Sequence, residues 1–165
     1  MTVMEHFSGF EVIRAAMEVE KKGHQFYLAV AVRAKSETAR EIFSWLAQDE
    51  VGHLKTLEKL VPKYEEGAFW ADEEVFLPYL RRFAESEIFP SAERLEAALQ
   101  GENSDLRVLD LAIEAEERFA AYFHQAARQA RTADGREAFT WLAAEEDHHA
   151  AVLKERKAKL QGTGR

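Results

Sequence analysis

Two short stretches of the sequence carry the same chemistry-bearing residues at the same spacing. WLAQDEVGH runs from Trp45 to His53, and WLAAEEDHH runs from Trp141 to His149. Each holds a Glu-x-x-His pair: Glu50 with His53, and Glu146 with His149. On a helix, residues three apart point to the same side, so the carboxylate and imidazole of each pair can reach one ion together. A lone Glu-x-x-His carries little weight, since about one is expected by chance in a chain this rich in glutamate. Three occur, and the third, Glu145 with His148, is set aside because it is not repeated.

The repeat extends well beyond the pairs. A shift of 96 residues lays TAREIFSWLAQDEVGHLKTL (38–57) on DGREAFTWLAAEEDHHAAVL (134–153), with nine of twenty positions identical and no gap. It also lays Glu20 on Glu116 and Tyr27 on Phe123. All four glutamates fall on apolar stripes of helical period. The stripe Phe43, Leu46, Glu50, His53, Leu57, Leu60 steps by 3, 4, 3, 4, 3, the spacing of a seam between helices. Ile13, Ala16, Glu20, Tyr27 and Val30 form a second stripe. Leu109, Ala112, Glu116, Phe119 and Phe123 form a third, and Phe139, Leu142, Glu146, His149 and Leu153 a fourth.

Four carboxylates turned inward cannot stay ionised without partners, because each desolvated charge costs several kcal/mol. Lysine and arginine are scarce on these stripes. Two divalent cations would neutralise the four charges, and an oxygen-rich set of four carboxylates and two imidazoles suits iron or manganese better than zinc. The neighbours Glu18 and Glu114 repeat as faithfully as Glu20 and Glu116, and Glu117 stands beside them. The stripe and Tyr27 select Glu20 and Glu116. His24, one turn beyond Glu20, reads as a buried or capping histidine, and His6, His124 and His148 as surface residues.

The elements that position these residues follow from composition and punctuation. Three prolines and eight glycines in 165 residues leave room for long helices. Helices are predicted from Ser8 to Ala34, from a cap at Ser36 or Thr38 to just before Pro62, from Asp105 to Arg131, and from Arg136 to Leu160. Ala133 to Gly135 reads as a turn, Gly101 to Ser104 as a loop, and the tail QGTGR as frayed. The segment 62–104 is irregular and aromatic, with shorter helices at Phe76–Ala84 and Ser91–Leu99. Its Phe69, Trp70, Phe76 and Phe89 are expected to pack over the bundle or in a dimer contact, and Trp45 and Trp141 to be core or interface aromatics. Two hairpins joined by one long connection make an all-α, ferritin-like four-helix bundle.

Net charge −8 argues against a nucleic-acid partner. The absence of cysteine excludes disulfides and cysteine-held metals. No apolar run is long enough to span a membrane, and the first residues lack a signal-peptide pattern. One cytoplasmic domain over 1–165 is expected, forming a homodimer as soluble oligomers most often do.

The six residues Glu20, Glu50, His53, Glu116, Glu146 and His149, with Tyr27 seven after Glu20, resemble the rubrerythrin branch of the ferritin-like proteins. The resemblance covers roughly residues 10–160. It implies a pair of iron ions, with manganese or zinc as alternatives, and an oxidoreductase acting on hydrogen peroxide or dioxygen. It implies that Glu50 and Glu146 bridge the metals and that Glu20, Glu116, His53 and His149 are terminal ligands. Tyr27 would stand close by, as a hydrogen bonder or electron relay. The chain departs from that pattern in two ways. It has no cysteine-bearing rubredoxin domain, so electrons would come from an external donor, an electron-donor protein or a small molecule. Phe119 occupies the place of a seventh carboxylate, which leaves the site more symmetric. Iron oxidation for handling or storage is the rival reading, and a structural metal-holding bundle a weaker one.

Overall fold

The computed structural model describes residues 9–65, 89–129 and 133–163. These form five helices: α1 (Gly9–Arg33), α2 (Glu37–Glu65), α3 (Ala92–Leu99), α4 (Ser104–Gln129) and α5 (Ala133–Thr163). No strand occurs among the described residues. Helices α1 and α2 pack along each other as one hairpin, and α4 and α5 as the other. The hairpins meet where α2 crosses α5, and the short α3 lies against α4. The result is an all-α ferritin-like bundle.

The stripes read from the sequence form the core. Ile13, Ala16, Tyr27 and Val30 of α1, Phe43, Leu46 and Leu57 of α2, Leu109, Ala112, Phe119 and Phe123 of α4, and Phe139, Leu142 and Leu153 of α5 are fully buried. Such burial contributes roughly 1.5–3 kcal/mol per large side chain and outweighs helix propensity in holding the bundle together.

The helix ends explain how the hairpins hold register. The Ser36 hydroxyl accepts from the amide of Ala39 at 3.1 Å, capping α2. The Asp105 carboxylate, at the start of α4, accepts from the amides of Lys35 (3.0 Å) and Ser36 (2.7 Å) in the α1–α2 turn, tying one hairpin to the other. Ser91 caps α3 by accepting from the Arg94 amide. The turn into α4 uses positive φ at Gly101 and Asn103, and the Arg107 guanidinium braces it by donating to the carbonyls of Ala98, Gln100 and Glu102.

Three boundaries differ from expectation. Helix α2 does not stop before Pro62 but continues to Glu65. A proline removes one helix N–H, and with only three residues after it the loss stays inside the final turn. Ala133, Asp134 and Gly135 do not form a turn; they open α5. The first turn of a helix has amides without intrahelical partners in any case, so it tolerates residues that would weaken the interior. The tail is helical as far as Thr163, through Gly162. The expected helix at 76–84, together with Phe69, Trp70 and Phe76, lies outside the described residues.

Candidate metal centre

Each hairpin brings one glutamate from its first helix and a Glu-x-x-His from its second to the middle of the bundle. Glu20 stands on α1, Glu50 and His53 on α2, Glu116 on α4, and Glu146 and His149 on α5; all six are buried. Their ligand atoms fall into two groups, each with every atom within 4.8 Å of the others. One is Glu20, Glu50, His53 and Glu146. The other is Glu50, Glu116, Glu146 and His149. Glu50 and Glu146 belong to both.

Both imidazoles turn Nδ1 towards the carboxylates. His53 Nδ1 lies 2.7 Å from Glu146 Oε1 and 3.3 Å from Glu20 Oε1. His149 Nδ1 lies 3.4 Å from oxygens of Glu116 and Glu146 and 3.5 Å from Glu50. Close as these atoms are, most are not aligned to hydrogen-bond. Both oxygens of Glu20, Glu50 and Glu146, one of Glu116, both nitrogens of His53 and Nδ1 of His149 are buried without a hydrogen-bond partner. Buried polar atoms are normally satisfied, and so dense a set of orphaned oxygen and imidazole donors fits a pair of divalent cations.

Protonation shows the same conflict. Burial pushes the Glu20 carboxyl up to about 7, against the opposing pull of His53. Glu146 is raised well above the usual carboxylate range, first by burial and then by the charges of Glu116 and Glu20. Burial works against charge on His53, but the carboxylates of Glu146 and Glu20 outweigh it and hold the imidazole up to about 10. His149 is raised further: burial opposes its charge and is overcome by Asp49, Glu116 and Glu146. Four acids share two imidazoles, so the cluster lacks positive charge.

The surroundings are built from both hairpins. The Tyr27 phenol donates to Glu116 Oε1, whereas Phe123, its counterpart in the repeat, has no hydroxyl. Phe119 is buried and stacked on Phe123, ring centroids 4.5 Å apart. The repeat sets Phe119 opposite Gly23, and the space above Gly23 is filled from elsewhere: a Cβ there would lie 2.7 Å from the Phe89 ring. Phe89 thus packs against the bundle as expected, touching Phe26, Tyr27 and Phe119. These rings pack around Tyr27, the phenol that holds Glu116.

Trp45 and Trp141 are not core residues, at 39% and 44% exposed. Each stands edge-on to the histidine of the opposite hairpin, Trp45 to His149 at 5.4 Å and Trp141 to His53 at 5.6 Å. His24 does not join the centre; its Nδ1 meets the Ala47 carbonyl at 2.8 Å, bracing α1 on α2. Glu18 pairs with Lys21, Glu114 with Arg118 and Glu117 with Lys154, all away from the core. His124 and His148 are exposed, and His6 lies outside the described residues.

Asp49 was not singled out from the sequence, and Glu145 only within the Glu145–His148 pair that was set aside. Asp49 Oδ2 accepts from His149 Nε2 at 2.5 Å and lies 3.6 Å from His53 Nε2. Glu145 Oε1 lies 3.8 Å from His53 Nε2. The signal was available: the same 96-residue shift relates them, each just before a Glu-x-x-His. A carboxylate behind an imidazole fixes which nitrogen faces a metal.

No curated protein and no solved structure matches the chain significantly. The rubrerythrin family model matches residues 11–106, which takes in Glu20, Glu50 and His53. Glu116, Glu146 and His149 lie beyond it and rest on the repeat and on the geometry. With more than half its length matched and a buried carboxylate–histidine cluster suited to two metals, the chain belongs to the rubrerythrin family.

Proposed function

We propose that the cluster holds two iron ions and that the protein is an oxidoreductase reducing hydrogen peroxide or dioxygen with electrons from an external donor protein. The observation that carries this reading is the sharing of Glu50 and Glu146 between the two ligand groups. On this reading these two carboxylates would be shared by both ions, with Glu20 and His53 holding one and Glu116 and His149 the other. Bound ferrous iron supplies the two electrons that, with two protons, take peroxide to water. Tyr27 orients Glu116. Phe89, Phe119 and Phe123 keep water from the Tyr27 side, while the part-exposed Asp49 holds the His149 imidazole proton on the other. The protein would act in the cytoplasm as a homodimer of single-domain chains. No described helix is long and apolar enough to cross a membrane.

Phe119 favours a second reading. An apolar ring where the resembled family carries a further carboxylate leaves the two positions with matching ligand types, which suits oxidation of iron for handling or storage. The experiment is metal analysis of protein from iron-supplemented cells, with optical spectra before and after anaerobic addition of peroxide to the reduced form. About two irons per chain and rapid growth of ferric absorption support the peroxide reading. Two irons that respond only to dioxygen, with further iron taken up, move the function to iron handling. Two ions that merely raise the melting temperature reduce it to a structural site.

A further inference from the structure

The repeat makes the two halves of the centre alike in ligands, and the structure makes them unlike in what holds those ligands. On one side, Glu116 accepts a hydrogen bond from the Tyr27 phenol, and His149 Nε2 donates to Asp49 at 2.5 Å. On the other, neither oxygen of Glu20 has a hydrogen-bond partner. The residue that would correspond to Tyr27 there is Phe123. His53 Nε2 lies 3.6 Å from Asp49 and 3.8 Å from Glu145, beyond hydrogen-bond reach of both. Both terminal ligands of one ion are therefore fixed in place before metal arrives, and both terminal ligands of the other are not.

We infer that the two metal positions are unequal, that the position built on Glu116 and His149 fills first, and that Tyr27 and Asp49 are the positioning residues that make it so. The inference rests on the di-metal reading above. A ligand already ordered by its own hydrogen bond loses less freedom on binding, and an imidazole backed by a carboxylate is a stronger donor. Partners of this kind are worth about 10–100-fold in metal affinity. Glu50 and Glu146 are common to both positions and cancel from the comparison.

The test is titration of metal-stripped full-length protein with cobalt(II), followed by its visible absorption and by calorimetry. Two separate steps are expected, with affinities at least about 10-fold apart. His149→Ala should abolish the tighter step and His53→Ala the weaker. Tyr27→Phe and Asp49→Asn should each weaken the tighter step and narrow the gap, with the far-ultraviolet dichroism of the stripped protein unchanged. A purely structural role for these two residues would weaken both steps alike, and that result overturns the assignment. Two equal sites, or a tighter step that survives His149→Ala and is lost in His53→Ala, overturns it as well. Failure to take up cobalt at all overturns the di-metal reading and this inference with it.

Discussion

His53 and His149 lie stacked, ring centroids 5.1 Å apart and planes 12° from parallel, although they stand on different hairpins. Two imidazoles drawn together among four carboxylates make the metal-free centre sensitive to pH. Burial raises Glu20 to about 7, so between the usual carboxylate range and that value the folded state keeps a proton that the unfolded chain has lost. Stability falls as pH rises through that window. His53, held up to about 10 by Glu146 and Glu20 despite burial, contributes stability that is complete below the ordinary histidine range and lost as pH climbs towards 10. The two effects have the same sign. The melting temperature of stripped protein should therefore drop by several degrees between pH 6 and pH 9. The increment gained on adding metal should grow over the same range, because cations bind the deprotonated ligands. A stripped protein that melts higher at pH 9 than at pH 6 would contradict the cluster.

Glu146→Gln separates stability from function. Burial first, and then the charges of Glu116 and Glu20, force a proton onto the Glu146 carboxyl, a cost that a neutral glutamine does not carry. Stripped protein should gain about 1 kcal/mol or more, read as a higher midpoint in denaturant. The same variant should bind fewer than about one ion per chain, where the two-ion arrangement predicts two for the parent. Glu18→Ala, on a solvent-facing pair with Lys21, should change neither quantity. Equal loss of metal in both variants would mean the wrong helix faces have been assigned.

Two glycines should respond in opposite directions. Nothing lies within 4 Å of a Cβ built on Gly52, so Gly52→Ala should stabilise α2 by about 0.5–1 kcal/mol through reduced chain freedom. Gly23→Ala would press on the Phe89 ring at 2.7 Å. That ring is hemmed in by Phe26, Tyr27 and Phe119, so overpacking of about 1–3 kcal/mol should exceed the gain in helix propensity. Thermal melts of the two single variants provide the comparison. If Gly23→Ala also stabilised the protein, Phe89 would not be packed there.

The tryptophans offer an optical readout. Trp45 and Trp141 touch the centre's histidines edge-on, so iron or cobalt bound beside those imidazoles should quench their fluorescence in step with uptake. Trp45→Phe combined with Trp141→Phe should remove most of that quenching while leaving uptake intact. Unchanged quenching in the double variant would place the metal elsewhere.

The buried cluster of six residues was legible because two independent patterns agreed: the 96-residue shift and the apolar stripes. Either alone would have left Glu18 or Glu145 in contention. Helix boundaries were less legible, since Pro62 and Gly135 stop helices only in their interiors, and both fall near an end. Asp49 was missed, and Glu145 was set aside with His148, because both stand on the border between core and solvent, where a stripe analysis has no place for them. Phe89 packs from the connection against Tyr27 and over Gly23, and no local spacing announces such a contact. Its pocket is visible only as a glycine opposite Phe119.

Each of the two ligand groups takes three residues from one hairpin and a single glutamate from the other. A lone hairpin could supply three-quarters of a coordination set and would find the missing glutamate on a second copy of itself. A chain half this length, pairing with a second copy about a twofold axis, would close the same double site with perfect symmetry. The present chain carries that pair in one sequence, and one sequence leaves its halves free to differ. A phenol survives at Tyr27 and not at position 123, and a ring borrowed from the connection covers Gly23 where the other half grew its own.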